Sequence, residues 1–333
     1  SSYESPPLDA SSGARTCSAL LPGGRATMSS TVSSLTAKPG MWCQDTGALC
    51  QHIWWCTPVG FLQFMVAVSS LMAVSFIALL LLVHPLVKGF LERRPSKYED
   101  EATASWFAWH VQSTIHASLQ VWFSYWPIWQ LSQSTPLVQF TTPGLSTDSP
   151  SEAELQAIVR IGNGAGTFFA YIFVDCFVAV YRKQMTIDYL AHHLIFMFFC
   201  VVIMYDCFAP YLAGWLLMME TSTIFLNLFS FTRNRLGYGH IFVKTSFLLF
   251  AVFFVLIRLG GQTYIALYFG HSVITNMPAY RGIPGWHLYS VMVGSIFGLG
   301  IQVFWGYEIL KKLLRIMGSP AAAKPSHHEM KHD

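Results

Sequence analysis

The sequence predicts an all-α, polytopic membrane protein: a transmembrane helical bundle of about seven spans, with a lumenal N-terminus and a cytosolic C-terminus. Three observations carry that prediction. Of 333 residues, 53% are hydrophobic and only 11% charged; soluble domains carry about 25% charged residues, so too few are present here to cover a soluble surface. Apolar runs of about the ~20 residues needed to cross a bilayer recur along the chain. Lys and Arg concentrate in every second connection between those runs.

Residues 1–57 are rich in Ser, Thr, Pro and Gly and lack an amphipathic period, the composition of a disordered extramembrane segment. In one reading Met28, followed by S-S-T-V-S-S, is the start, and residues 1–27 are an upstream region or a processed leader. They carry no signal-peptide h-region. Cys43, Cys50 and Cys56 could supply a disulfide above the first span if that compartment is oxidising; Cys17 lies further upstream.

Seven apolar segments follow, at 59–90, 104–131, 155–181, 187–205, 211–231, 241–269 and 285–310. The first, with its L-L-L-L-V run, is lipid-facing in type, and residues 58–102 comprise it and a cytosolic loop. The other six make a membrane domain over 103–316, and 317–333 is a polar cytosolic tail. Lys88, Arg93, Arg94 and Lys97 follow the first segment, and Arg182 and Lys183 the third. Arg233, Arg235 and Lys244 follow the fifth, and Lys311, Lys312 and Arg315 the seventh. The connections 132–154 and 206–210 have no Lys or Arg, and the one after the sixth segment has only Arg281. By the positive-inside rule this alternation sets the orientation. Lys331 near the end is a weak hint of retrieval to the endoplasmic reticulum.

Ionisable groups inside such segments cost about 2.5–3.5 kcal/mol each at a helix centre on insertion scales, so they point to function or to polar contacts between helices. The adjacent His192 and His193 open the fourth segment, pointing about 100° apart. Asp175 on the third and His110 on the second stand at a similar depth, about 9 Å inside the cytosolic end at ~1.5 Å per residue. Glu220 is expected mid-helix in the fifth segment, with Thr223 and Asn227 on its face at i+3 and i+7. Arg258 lies deeper in the sixth. Gln112, His116 and Gln120 form an i, i+4, i+8 stripe on the second. Together these predict a polar chamber open to the cytosolic leaflet, lined by His192, His193, Asp175 and Glu220. Asp175 could orient a histidine or pair with Arg258 or a backbone group. His110, His116, Gln112 and Gln120 serve either the chamber or the contacts between helices. No spacing of His, Cys and acidic residues marks a metal site, so no metal and no bound cofactor are expected.

These residues resemble the TLC-domain membrane proteins, a family joining the translocating-chain-associating protein, the ceramide synthases and the ceroid-lipofuscinosis-type lipid proteins. The resemblance runs from about 105 to 315. It rests on W-x-x-W-H-V-Q-S-T-I-H-A from Trp106, D-Y-L-A-H-H from Asp188 and M-E-T-S-T-I-F-L-N from Met219. F-F-V-L-I-R ending at Arg258 and F-W-G-Y-E-I-L-K-K from Phe304 add to it. It implies that the paired histidines of the ceramide synthases, which use acyl-CoA as cosubstrate, fall on His192 and His193. Their second pattern, H-D-x-x-D-x-x-L-E-x-x-K, survives only at Glu220. Leu212, Ala213, Leu216 and Thr223 stand where it needs His, Asp, Asp and Lys.

Three functions are therefore in view: a protein that binds, senses or helps remodel membrane lipids; an acyl-CoA-dependent lipid acyltransferase; and an accessory subunit of a membrane assembly. Membrane lipids and other membrane proteins are the expected partners, in the endoplasmic reticulum or another endomembrane. The net charge of +3 is spread over membrane loops and offers no nucleic-acid surface. Seven spans with an outside N-terminus also suit a G-protein-coupled receptor, but no D-R-Y ends the third segment and no N-P-x-x-Y the seventh.

Overall fold

A computed structural model of the chain describes residues 58–93, 104–140, 151–206, 208–280 and 285–318. Among them there are helices and short turns and no strand. The expected disordered segment with Met28 and its four cysteines, the loop 94–103, Cys207 and the tail beyond 318 lie outside the described residues.

Helix α1 (Pro58–Ala78) runs through a π segment (Leu79–Val83) into α2 (His84–Arg93). Pro85 accounts for the widened turn. Its ring would strike the carbonyl four residues back, and the ladder shifts so that the His84 N–H reaches the Leu79 carbonyl. α3 (Ala104–Ser132) turns its polar stripe inward: Gln112, His116, Gln120 and Ser124 are buried, while Ile115, Trp122 and Trp129 are exposed. A single turn, α4 (Pro136–Phe140), follows. α5 (Glu152–Tyr181) starts on a capping box, with Ser151 accepting from the Glu154 N–H and the Glu154 carboxylate accepting from the Ser151 N–H. α6 (Ile187–Asp206) and α7 (Pro210–Met218) are joined through Ala209, held in the left-handed region at φ 52°. α8 (Thr221–Leu236) stops at Gly237, whose φ of 81° suits glycine. α9 (Ile241–Phe253), a second π segment (Phe254–Gly261) and α10 (Gln262–Thr275) form one long helix. α11 (Gly285–Gly318) completes the described chain.

α5 is central and packs on α1, α3, α6 and α7. Its I-G-N-G-A-G stretch supplies the small residues that let membrane helices approach closely. A Cβ on Gly164 would stand 2.7 Å from Leu217 and 2.9 Å from Phe123. A second apolar cluster, Phe229, Val243, Phe247, Phe250, Phe254 and Ile316, ties α8 and the α9 helix to α11. α1 and α11 leave most of their apolar surface exposed.

Five stretches are long and apolar enough to cross a membrane: Leu62–Leu86, Glu152–Tyr181, Pro210–Leu236, Ile241–Thr275 and Gly285–Ile316. The other two expected spans fall short on local composition or length. α3 has 29 residues but a polar stripe, and the apolar part of α6, Tyr189–Val202, is short. The fifth segment is not the unbroken helix expected from its sequence. It breaks at Met219 and Glu220, where the Met219 carbonyl accepts from Arg258 Nε at 3.1 Å and from the Ser222 hydroxyl, in competition with the helix ladder. Glu220 therefore lies at a helix junction.

Candidate functional site

Asp175, on α5 and only 4% exposed, gathers donors from two other helices. Trp109 Nε1 of α3 donates to one carboxylate oxygen; the Tyr189 hydroxyl and His193 Nε2 of α6 donate to the other, His193 at 3.0 Å. Tyr189 and His193 are spaced i, i+4, so one face of α6 delivers both. Their rings stack at 4.0 Å, and His193 Nδ1 lies 2.9 Å from the Tyr189 carbonyl oxygen. Both nitrogens of His193 thus face acceptors. Of the pairings open to Asp175, the histidine is the one formed.

His192 diverges from its neighbour, as adjacent helical positions must. Its ring lies 4.5 Å from Phe196 and 5.0 Å from Trp305 of α11, with His193 edge-on at 5.6 Å.

Tyr171, i−4 from Asp175 on the same face of α5, extends the polar line. It stacks on His116 at 3.9 Å, hydrogen-bonds Ser113, and lies within electrostatic reach of both Asp175 and Glu220. Ser113 accepts from Asn227 Nδ2 at 3.0 Å. Gln120 binds Thr167 at 3.1 Å, while Gln112 donates to the Met72 carbonyl at 2.8 Å and ties α3 to α1.

Beyond Tyr171, Arg258 serves four acceptors at the junction of α7 and α8. Nη2 reaches Glu220 at 3.3 Å and Thr223 at 2.8 Å; Nε reaches Ser222 at 2.8 Å and the Met219 carbonyl. Arg258 is carried on the second π segment, a widened turn of a kind frequent at functional sites. Glu220 and Thr223 share this partner, whereas Asn227, on the same expected face, turns to Ser113. His110 stands at the other end of the line. Its Nδ1 lies 2.9 Å from the Trp106 carbonyl oxygen and its ring is flanked by Trp106 and Trp109.

Residues 106–311 match the family model of the TLC domain, TRAM_LAG1_CLN8. The chain belongs to the TLC-domain family. It is an integral, multi-pass membrane protein. No curated protein matches it.

Every residue of the polar line, from His110 to Arg258, falls inside the TLC domain, and so does Trp305. α1 and α2 fall outside it. α1 and the π segment after it meet the domain across a cavity of about 270 Å³, lined by Met72, Leu79 and Leu82 on one side and Gln112, Ile115 and His116 on the other. Trp109, Tyr171, Tyr189 and Ser113 were not among the sequence-based candidates. Tyr171 and Tyr189 carried a usable signal, since each lies four residues before a candidate on its own helix; Trp109 and Ser113 carried none of that kind. Among the described residues no three His, Cys, Asp or Glu side chains converge as metal ligands.

Proposed function

We propose that this TLC-domain protein binds membrane lipids through its polar interior, sensing them or helping to remodel them, and is not a ceramide synthase. Within the family it is of the TLC domain-containing protein 4 type in this reading. In this reading α3 and α6 join the five apolar stretches to give seven spans, with the N-terminus lumenal and the C-terminus cytosolic in the endoplasmic reticulum or another endomembrane. The burial of the α3 polar stripe supports its inclusion, because the surface it leaves outside is apolar: Ile115, Leu119, Trp122 and Trp129.

The observation that carries the reading is the state of His193. Acyl transfer needs an imidazole lone pair to take a proton from the attacking amine or hydroxyl. With Asp175 on one nitrogen and the Tyr189 carbonyl on the other, His193 offers none. Leu212 and Ala213 are buried in the apolar core, and Glu220 and Thr223 are engaged by Arg258, so the second ceramide synthase pattern has no free polar groups here. The acyltransferase alternative, with acyl-CoA as cosubstrate, would have to use His192, whose ring stands edge-on to His193 at 5.6 Å, as the base.

The deciding experiment compares wild type with the His192→Ala His193→Ala variant. Lipids that co-purify with wild type are expected to be lost from the variant, with no ceramide formed by purified protein from acyl-CoA and a sphingoid base. Histidine-dependent ceramide formation would replace this reading with the enzymatic one.

A further inference from the structure

Gln112 on α3 is 5% exposed, and its carboxamide is only half used. The Met72 carbonyl of α1 can only accept, so Nε2 is the atom that faces it, at 2.8 Å. The amide oxygen has no hydrogen-bond partner among the described residues. One turn on, His116 is 1% exposed, and its Nε2 is buried with no partner either. Gln120 Nε2 stands 3.5 Å from the other ring nitrogen, Nδ1, and brings a hydrogen to it, so in the neutral ring the proton sits on Nε2. Residues i and i+4 share a helix face, and both of these line the cavity of about 270 Å³ that separates α3 from α1 and its π segment. The Ser75 hydroxyl, the third polar group of the lining, is turned back on the Met72 carbonyl at 2.8 Å. A buried polar atom left unbonded is costly, and more so inside a bilayer, where no water is at hand. An unmet acceptor and an unmet donor beside one cavity point to a ligand that supplies their bonds.

The rest of the cavity defines that ligand. Aliphatic side chains such as Leu79, Val83 and Leu119 line it, and among the described residues no Asp, Glu, Lys or Arg does. A phosphate or an ammonium would enter without a counter-charge, which rules out phospholipid headgroups. Leu82, Ile115 and Leu119 are also 67%, 52% and 38% exposed, so the cavity opens onto the outer apolar face of α1 and α3. Its volume is just below the range of about 300–1,000 Å³ typical of small-molecule pockets, room for the polar end of a lipid and the hydrocarbon next to it. A hydroxyl suits the two unmet groups: it has one hydrogen for the Gln112 oxygen and lone pairs for an Nε2–H. An ether or a ketone would leave the Gln112 oxygen unmet.

We infer that this cavity binds a lipid whose only polar group is one hydroxyl on a hydrocarbon body, a sterol or a long-chain alcohol. The hydroxyl donates to Gln112 Oε1 beside His116, and the hydrocarbon leaves past Leu82, Ile115 and Leu119 into the bilayer. The inference deepens the lipid-binding reading by naming a ligand class, and it rests on the membrane placement of α1 and α3 proposed there. Asp175, His192 and His193 take no part in it. Its test leaves them intact, so the two readings fail or stand separately.

The test is photolabelling of the full-length protein in detergent with two diazirine probes, a cholesterol and a hexadecanol, each with its hydroxyl free. One or both are expected to label the stretches 72–83 and 112–119, and the probe that labels tells which hydrocarbon body the cavity takes. The methyl ether of the same lipid keeps the oxygen but has no hydrogen to donate. It should compete about fivefold less well than the parent alcohol, the weight of one hydrogen bond. Phosphatidylcholine at the same concentration should not compete. Gln112→Leu should abolish the advantage of the alcohol over its ether. Ala78→Phe fills the cavity from the α1 side, leaves Gln112 in place and should remove the labelling of both stretches. An ether that competes as well as the alcohol on wild type, a result independent of any variant's folding, would overturn the assignment. So would competition by phosphatidylcholine equal to that of the alcohol, labelling that is absent or confined to other helices, or labelling that survives Ala78→Phe.

Discussion

Asp175→Ala removes the one acceptor shared by Trp109, Tyr189 and His193, and with it the polar bond between α3, α5 and α6. The two neutral donors lose bonds worth ~0.6 kcal/mol each on the average for helices in membranes. Breaking a buried ion pair by deleting one partner costs about 3–5 kcal/mol, and the His193–Asp175 pair is 10% and 3% exposed at its side chains. The expected loss is therefore about 4–6 kcal/mol, a large part of the ~5–15 kcal/mol that holds a typical protein folded. Asp175→Asn should cost less, because its remaining carbonyl oxygen still serves Trp109. The assay is reversible unfolding of the detergent-solubilised protein in dodecyl sulfate, for Asp175→Ala, His193→Ala and the double variant. Once Asp175 is gone, removing His193 should cost little more, so the double variant should fall well short of additivity. If the single losses add to within the ~0.5 kcal/mol seen for independent sites, the pair does not couple the helices and the reasoning fails.

Arg258→Gln should destabilise more than Glu220→Gln in the same assay, by up to about 3–5 kcal/mol, because the arginine also holds Met219, Ser222 and Thr223; equal losses would contradict this. Gly294→Ala should cost about 1–3 kcal/mol by overpacking, since its Cβ would clash with the Phe199 ring; an unchanged melting temperature would contradict this. A C-terminal tag should be digested by protease added to sealed microsomes, and protection would reverse the proposed orientation.

The helices could be read from the sequence to within a few residues at most ends, because their signals are local. The run of five apolar residues before His84 needs no knowledge of its neighbours to be recognised as part of a stretch apolar enough to cross a membrane. The break inside the fifth segment could not be read in this way. Pro210 and the run to Met218 look like the start of one uninterrupted span, and the residue that opens the ladder, Arg258, lies 39 positions away from the carbonyl it takes. The polar stripe of α3 lowers the segment's apolarity, and the packing turns those side chains inward.

The sequence by itself determined the membrane class, the family, the order of the helices and many of the polar residues that lie inside the bundle. Each of these follows from composition, from period or from motifs a few residues long. Only the tertiary structure decided which groups meet. Trp109 reaches Asp175 across 66 positions, and Glu220 reaches Arg258 across 38. Arg182 and Arg235 look like routine charges flanking spans until the fold lays them on the rings of Trp109 and Trp106. These pairings depend on how far each helix is rotated and how closely it approaches its neighbour. That is set at contacts such as Gly164, whose lack of a side chain lets α3 and α7 crowd against α5, and no single segment contains that information.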